Sequence, residues 1–317
     1  MPDLYSPPAA VLFPYGHIVC DVAPPHVRNL YEVPTVAKFK SDIDDLCRTS
    51  RPLQLAELED LPRTRQGKTS GRRFLFSFDD GMREVYEVIA PILREKGLPA
   101  VLFLNSATID NKRLMWRHKI SLVMEKAKEK PSRIPPQLSG RPEKSLQAKL
   151  NALRYADQSL IDELATFFEI DFEDYLLRNR PYLTTEEVQD LARWGFEIGA
   201  HSASHPYFCE LGSAVQEKEV SDCVNFVRSL GLPCRCFAFP FHDNGVTVSL
   251  FQYMSGQNLD LSFGTSEARV DSIAFSFQRF ALDGGNANIS LRNKLHQLSA
   301  KSLLRMVTGT QTILRNQ

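Results

Sequence analysis

The sequence lacks an excess of either charge, with 38 Lys and Arg against 38 Asp and Glu, so nothing in its electrostatics favours a nucleic-acid partner. It also lacks any run of the ~18 apolar residues that a membrane helix needs, and no transmembrane segment is expected. The opening MPDLYSPPAAVLFPYGHIVC has no basic stretch and is broken by Pro7, Pro8 and Pro14. It therefore does not read as a signal peptide, and a cytoplasmic location is the expectation. Cysteine pairs at zinc-site spacing are missing too. There are six cysteines, and Cys234 and Cys236 lie in the apolar run CRCFAFPF, where reduced core thiols are expected. No internal repeat or extended low-complexity tract is present. Gly67-Lys68-Thr69 has the tail of a phosphate-binding loop, but Pro62 stands where the first glycine belongs and no strand precedes it.

What remains is an ordinary globular composition over 317 residues, 43% hydrophobic and 24% charged, enough for one large α/β domain. The run RRFLFSFD (72–79) reads as a buried strand. It is followed by helical periodicity through Val85, Val88, Ile89, Ile92 and Leu93, closed by Gly97. PAVLFLNS (99–106) is a second strand, which makes a βαβ unit and so a parallel sheet. The pattern returns later. Thr184 with Glu187 forms a capping box that opens a helix before FEIGAHS (196–202), and VQEKEVSDCVNFVRSLG (215–231) is a helix leading into CRCFAFPF. Further strands are predicted at LDLSFGT and IAFSFQRFAL, with a last helix from about Ser290 to Met306. Residues 107–183 interrupt this rhythm with helical, charged sequence, and a surface insertion or lid is expected there.

Two carboxylates, Asp79 and Asp80, end the first strand. Side by side they are costly to bury without a cation, a proton or hydrogen-bond donors. They are explained either as a helix N-cap pair beside Gly81 or as one metal ligand and one free general base. His201 and His205, in GAHSASHP, also follow a strand. Four residues apart, they face the same way if the chain turns helically, and with one carboxylate they make a ligand set typical of catalytic zinc; taken alone they also suit surface or capping histidines. In parallel α/β folds both positions are where active sites are built.

Ser77-Phe78-Asp79-Asp80-Gly81 and His201-Ser202-Ala203-Ser204-His205 resemble the first and second motifs of the polysaccharide deacetylases, the NodB-homology group of carbohydrate esterases. The resemblance implies a single domain over 1–317, a distorted (β/α) barrel with a helical insertion at 107–183. It implies metal-dependent removal of acetyl groups from an N-acetylated sugar, with one divalent ion, zinc for preference. Asp79 would be the base and Asp80, His201 and His205 the metal ligands. Ala238-Phe239-Pro240-Phe241 lies where the family has its third motif, so Pro240 and Phe241 are expected to wall the groove and a backbone N–H near Phe241 to hold the oxyanion. The family's arginine in that motif, which orients the base, is replaced here by Ala238. No late L-x-H motif supplies the acid. His296 reads as a helix residue, and His242, just past the strand end, is the better-placed candidate. Asp283-Gly284-Gly285-Asn286 reads as a turn whose loop could line the groove, and Asn288-Ile289-Ser290 fits a glycosylation acceptor without consequence here. Trp116, Trp194 and Tyr207 could stack on sugars, Tyr207 best. Two other functions stay open, a hydrolase of small amides or cyclic imides and a non-catalytic carbohydrate-binding protein.

Overall fold

Eight short parallel strands make one sheet in the computed structural model, which describes residues 11–58, 71–130 and 134–317; the Gly67-Lys68-Thr69 triplet falls outside them. The strands are β1 (Pro14–Gly16), β2 (Phe76–Phe78), β3 (Ala100–Leu104), β4 (Glu197–Ala200), β5 (Cys236–Ala238), β6 (Leu261–Gly264), β7 (Ser276–Gln278) and β8 (Phe280–Ala281). In space they run β7-β6-β5-β4-β3-β2-β1-β8. Because β7 and β8 are separated only by Arg279, one extended segment pairs with β6 on one side and β1 on the other. That segment draws the two edges together, and the sheet is a (β/α) barrel.

The helices follow the sequence grammar. They are α1 (Val36–Thr49), α2 (Ala90–Glu95), α3 (Trp116–Glu129), α4 (Leu146–Asn151), α5 (Gln158–Phe167), α6 (Phe172–Asn179), α7 (Thr185–Arg193), α8 (Ser213–Ser229), α9 (Val248–Gly256) and α10 (Leu291–Val307). The expected capping box opens α7, with Glu187 N donating to Thr184 Oγ1 at 3.2 Å and Thr184 N to a Glu187 carboxylate oxygen at 2.8 Å. The helix expected over 82–97 begins instead as a π turn at Val85–Ile89. Pro91, which has no N–H to donate, stands just past its end. No helix among the described residues is long and apolar enough to cross a membrane.

Alternation along β2 sorts its side chains into two layers. Phe74, Phe76 and Phe78 point outward to the helix layer, where the Phe39 ring of α1 meets the last two edge-on. Leu75 points inward with Val101, Phe103, Cys236, Ala238 and Phe263, which fill the barrel axis. Cys234 and Cys236 are buried free thiols, as expected of core residues. Burying a phenylalanine contributes about 1.5–3 kcal/mol. Carried past Ser77, the inward register reaches Asp79, a carboxylate in the interior.

Residues 107–183 are helical, from α3 to α6, and are tied to the barrel mouth rather than laid on its surface. Trp116 and Tyr182 are fully buried. The segment's end clamps the loop after β2, because Leu183 N donates to Gly81 O at 2.9 Å and Arg83 N donates to Pro181 O at 3.0 Å. Gly81 has φ 62°, and a Cβ there would meet Ile109 at 3.0 Å and Leu104 at 3.3 Å. Only glycine fits this clamp.

Candidate active site

The carboxyl ends of the strands converge on one cavity of about 230 Å³. β1 supplies His17, β2 Asp79 and Asp80, β4 His201 and His205, β5 Phe239 and Phe241, and β6 Thr265. Met115, just before α3, and Arg117 and His118, in its first turn, reach it too, so the insertion forms part of the wall.

His201 and His205 do not meet through a helical turn. The chain after β4 is irregular, with Ser202 at φ 70° and His205 at φ 62°, conformations that side chains rarely adopt and that surrounding bonds must enforce. Those bonds are present. His205 N donates to Ser202 Oγ at 3.0 Å, Ala203 N to Glu219 O at 3.0 Å, Ser204 N to the Glu219 carboxylate at 2.9 Å, and Trp116 Nε1 to His205 O at 2.8 Å. His201 Nδ1 lies 2.7 Å from Ala238 O. That carbonyl can only accept, so Nδ1 carries the hydrogen and Nε2 keeps its lone pair. Burial lowers the His201 pKa to about 4, against the pull of Asp79, so the ring is neutral.

Asp80 Oδ1 lies 3.2 Å from His205 Nε2 and 3.6 Å from His201 Nε2, and all three side chains are buried. Donors on a tetrahedral ion at 2.0–2.1 Å would sit about 3.3 Å apart, so the set suits a small divalent cation. Asp80 Oδ1 is also buried with no hydrogen-bond partner, a costly state that a cation would relieve. Burial by itself would raise the Asp80 pKa, and the facing His205 outweighs it, holding the group ionised.

Asp79 answers to a different partner. Arg279, at the seam between β7 and β8, sends its side chain across the barrel interior, its guanidinium 4.4 Å from the Tyr15 ring centroid. It donates to Asp79 Oδ1 at 2.7 Å, to Asp79 Oδ2 at 2.8 Å and to Ser77 Oγ at 3.0 Å. Burial would raise the Asp79 pKa, but the guanidinium outweighs it and holds the carboxyl below its usual range. Asp79 is thus an oriented, ionised carboxylate, with Oδ2 3.7 Å from His201 Nε2.

A second pair faces it. His17 Nδ1 lies 2.7 Å from Asp283 Oδ2, which also accepts from His17 N at 3.0 Å. Burial pulls the His17 pKa down, and the Asp283 carboxylate more than reverses this, raising it to about 10, with Asp80 and Asp79 adding to the rise.

Tyr207 and Phe241 both line the cavity, stacked with centroids 3.8 Å apart. Pro240 is buried but does not line it. His242 does not line it either; its ring lies 5.6 Å from that of Tyr207, centroid to centroid. Trp116 is buried behind His205, Trp194 stacks on Tyr86, and His296 lies in α10. Sequence reasoning missed Arg279 and His17, and of Asp283 it read only a turn at the groove, not its pairing with His17. A trace of each was present: one cation in a phenylalanine-rich strand segment, a histidine just past a strand, and an aspartate in the turn after the last one.

A family model described as polysaccharide deacetylase matches residues 66–254. No curated protein matches the sequence. Among solved structures, the chain is similar to a Streptococcus pyogenes deacetylase, PplD, in complex with acetate, with TM-score 0.59 and 14% identity over 91% of this chain and 97% of that one. IcaB from Ammonifex degensii gives TM-score 0.56 and 15% identity over 92% and 96%. A de-N-acetylase from Aggregatibacter actinomycetemcomitans gives TM-score 0.56 and 12% identity over 90% and 99%. At such identities these likenesses are of fold.

Proposed function

The chain belongs to the polysaccharide deacetylase family, and from that premise we propose that it is a metal-dependent hydrolase releasing acetate from N-acetylated sugars. The observation that carries this reading is a carboxylate held ionised by an arginine, Asp79, beside a separate Asp80, His201 and His205 donor set in one cavity. A binding protein has no use for that division of labour.

A divalent cation held by Asp80, His201 and His205, zinc being well suited to these donors, would supply Lewis acidity to the acetyl carbonyl and lower the pKa of water. The rest is done by the chain. Asp79 accepts the proton of the attacking water, and Arg279 fixes both its charge and its orientation. The Phe241 N–H has no hydrogen-bond partner among the described residues, and the residue is held at φ 57° with its carbonyl accepting from Thr265 Oγ1 at 2.6 Å. It is the backbone donor available to the developing oxyanion. His17, kept protonated by Asp283, gives a proton to the departing amine. This acid takes the place expected for His242.

The test is acetate and primary amine followed together on acetylated glucosamine oligosaccharides, with small amides and cyclic imides as a rival panel. Turnover on the sugars that chelation stops and added zinc restores is the expected result. No acetate from protein shown to hold metal would overturn the reading.

A further inference from the structure

Charge bookkeeping in the cavity leaves one group over. Asp79 is matched by Arg279, Asp283 by His17, and Asp80 faces the imidazoles. His118 is buried and neutral, its pKa lowered to about 3 by burial. Arg117 is different. It lines the same cavity from the first turn of α3, yet no carboxylate lies within ion-pair distance of it among the described residues. Its guanidinium makes one hydrogen bond, from Nη1 to Asn151 O at 3.3 Å, and sits 5.2 Å from the Trp116 ring centroid. A second cation lies close by. Arg154 lies over the Tyr207 ring at 5.4 Å, with only a 3.6 Å approach to Glu210. Burial and the repulsion of Arg154 both lower the Arg117 pKa, although a facing Tyr207 opposes this.

A half-buried guanidinium without a counter-ion is costly, and its fork of donors is suited to planar or tetrahedral oxyanions. The helix dipole adds to the cost, since a cation in the first turn meets the positive end of α3. An anion bound there would offset both. Resting on the deacetylase reading above, we propose that Arg117 is a specificity-determining residue, and that the acetylated sugar this cavity accepts carries an anionic group, phosphoryl or carboxylate, on the residue being deacetylated or next to it. The anion binds at Arg117 beside Tyr207, while the acetamido group lies over Asp79 and Asp80.

The experiment compares N-acetylglucosamine with N-acetylglucosamine 1-phosphate, its 6-phosphate and N-acetylmuramic acid, on metal-loaded wild type, Arg117→Lys and Arg117→Met. Acetate release gives kcat/KM where turnover occurs, and titration calorimetry gives Kd where it does not. A charge-assisted contact predicts a preference of roughly 10–100-fold for at least one anionic sugar over the neutral one. That ratio should fall close to one in Arg117→Met and part-way in Arg117→Lys, whose point charge lacks the fork. Response to the phosphates alone or to the carboxylate alone identifies the source of the anion. Equal affinity of wild type for neutral and anionic sugars, or a ratio that survives in Arg117→Met, overturns the inference. Binding without acetate release on any arm counts against the hydrolase and leaves the anion site standing.

Discussion

Arg279 and Asp79 lie 200 residues apart in sequence and meet inside the barrel as a bidentate ion pair, Nη1 to Oδ1 at 2.7 Å and Nη2 to Oδ2 at 2.8 Å. Ala238, where the family often places the arginine that orients the base, faces the same interior as a small side chain. The guanidinium reaches the carboxylate from the barrel seam instead. On the reading proposed above, the orienting role of the motif passes to a residue outside it.

This pair sets the first prediction. Without the guanidinium the Asp79 pKa rises, and a base is lost as pH falls through its pKa, so the acid limb of kcat/KM should move to higher pH in Arg279→Lys. Lysine keeps a charge but not the two parallel bonds. Arg279→Ala strands a buried carboxylate and should cost about 3–5 kcal/mol in stability. An unmoved acid limb in a folded Arg279→Lys enzyme would separate Asp79 from the base role.

The second prediction concerns the acid. Asp283 raises the His17 pKa, and an acid is lost as pH rises through its pKa, so Asp283→Asn should move the alkaline limb to lower pH. His17→Ala should lose roughly 10²–10⁴-fold in rate, the usual contribution of a general acid. His242→Ala should change it less than about tenfold, because its ring stands outside the cavity. The reverse ranking of the two alanine variants would return the acid role to His242.

The residues of this cavity show where a sequence stops being legible. Asp79, Asp80, His201 and His205 lie at ends of strands whose apolar runs are continuous, so local pattern finds them. The conformation joining the two histidines was not legible. Spacing suggests a helical turn, whereas contacts from α3 and α8 hold Ser202 and His205 at positive φ. Arg279 hides for a topological reason. In FSFQRFAL a single arginine reads as a solvent-facing strand residue, and only the pairing of one segment with both sheet edges turns that face inward. The insertion was legible as helical sequence, but Tyr182 and Trp116 declare its attachment to the loops around the cavity only once the chain is folded.

A third prediction follows from the C-terminal segment. Thr312–Ile313 pairs with Val270–Asp271, and Arg315 is buried against both Asp243 and Asp271 while Gln278 Nε2 donates to Asp243 at 2.7 Å. Asp243 is two residues beyond Phe241, and Gln278 is next to Arg279. Arg315→Ala leaves two buried carboxylates facing each other, so a loss of about 3–5 kcal/mol is expected from urea unfolding. Asp271→Asn introduced into that variant should recover part of the loss. Strict additivity of the two changes would show that they are not coupled.

The last prediction is a stability profile. His26 and His118 are buried where the N-terminal loop meets the insertion, their rings 5.1 Å apart, with His26 Nδ1 2.9 Å from Tyr175 Oη and His118 Nδ1 2.6 Å from Tyr182 Oη. Burial holds His26 well below its ordinary value, with His118 beside it working in the same direction, and lowers His118 to about 3 against the pull of Asp80. An unfolded histidine titrates near 6.5. Below that pH the unfolded chain takes up protons that the folded one refuses, so stability falls as pH drops from about 6.5 towards 3, by up to about 1.4 kcal/mol per unit for each ring. No such loss comes from these groups above about 6.5. His118→Gln keeps a polar partner for Tyr182 without the titration. It should be less stable than wild type at pH 7.5 and show a shallower decline between pH 6.5 and 5. Urea midpoints across that range decide it, and parallel curves for the two proteins would mean that His118 contributes nothing to the acid sensitivity.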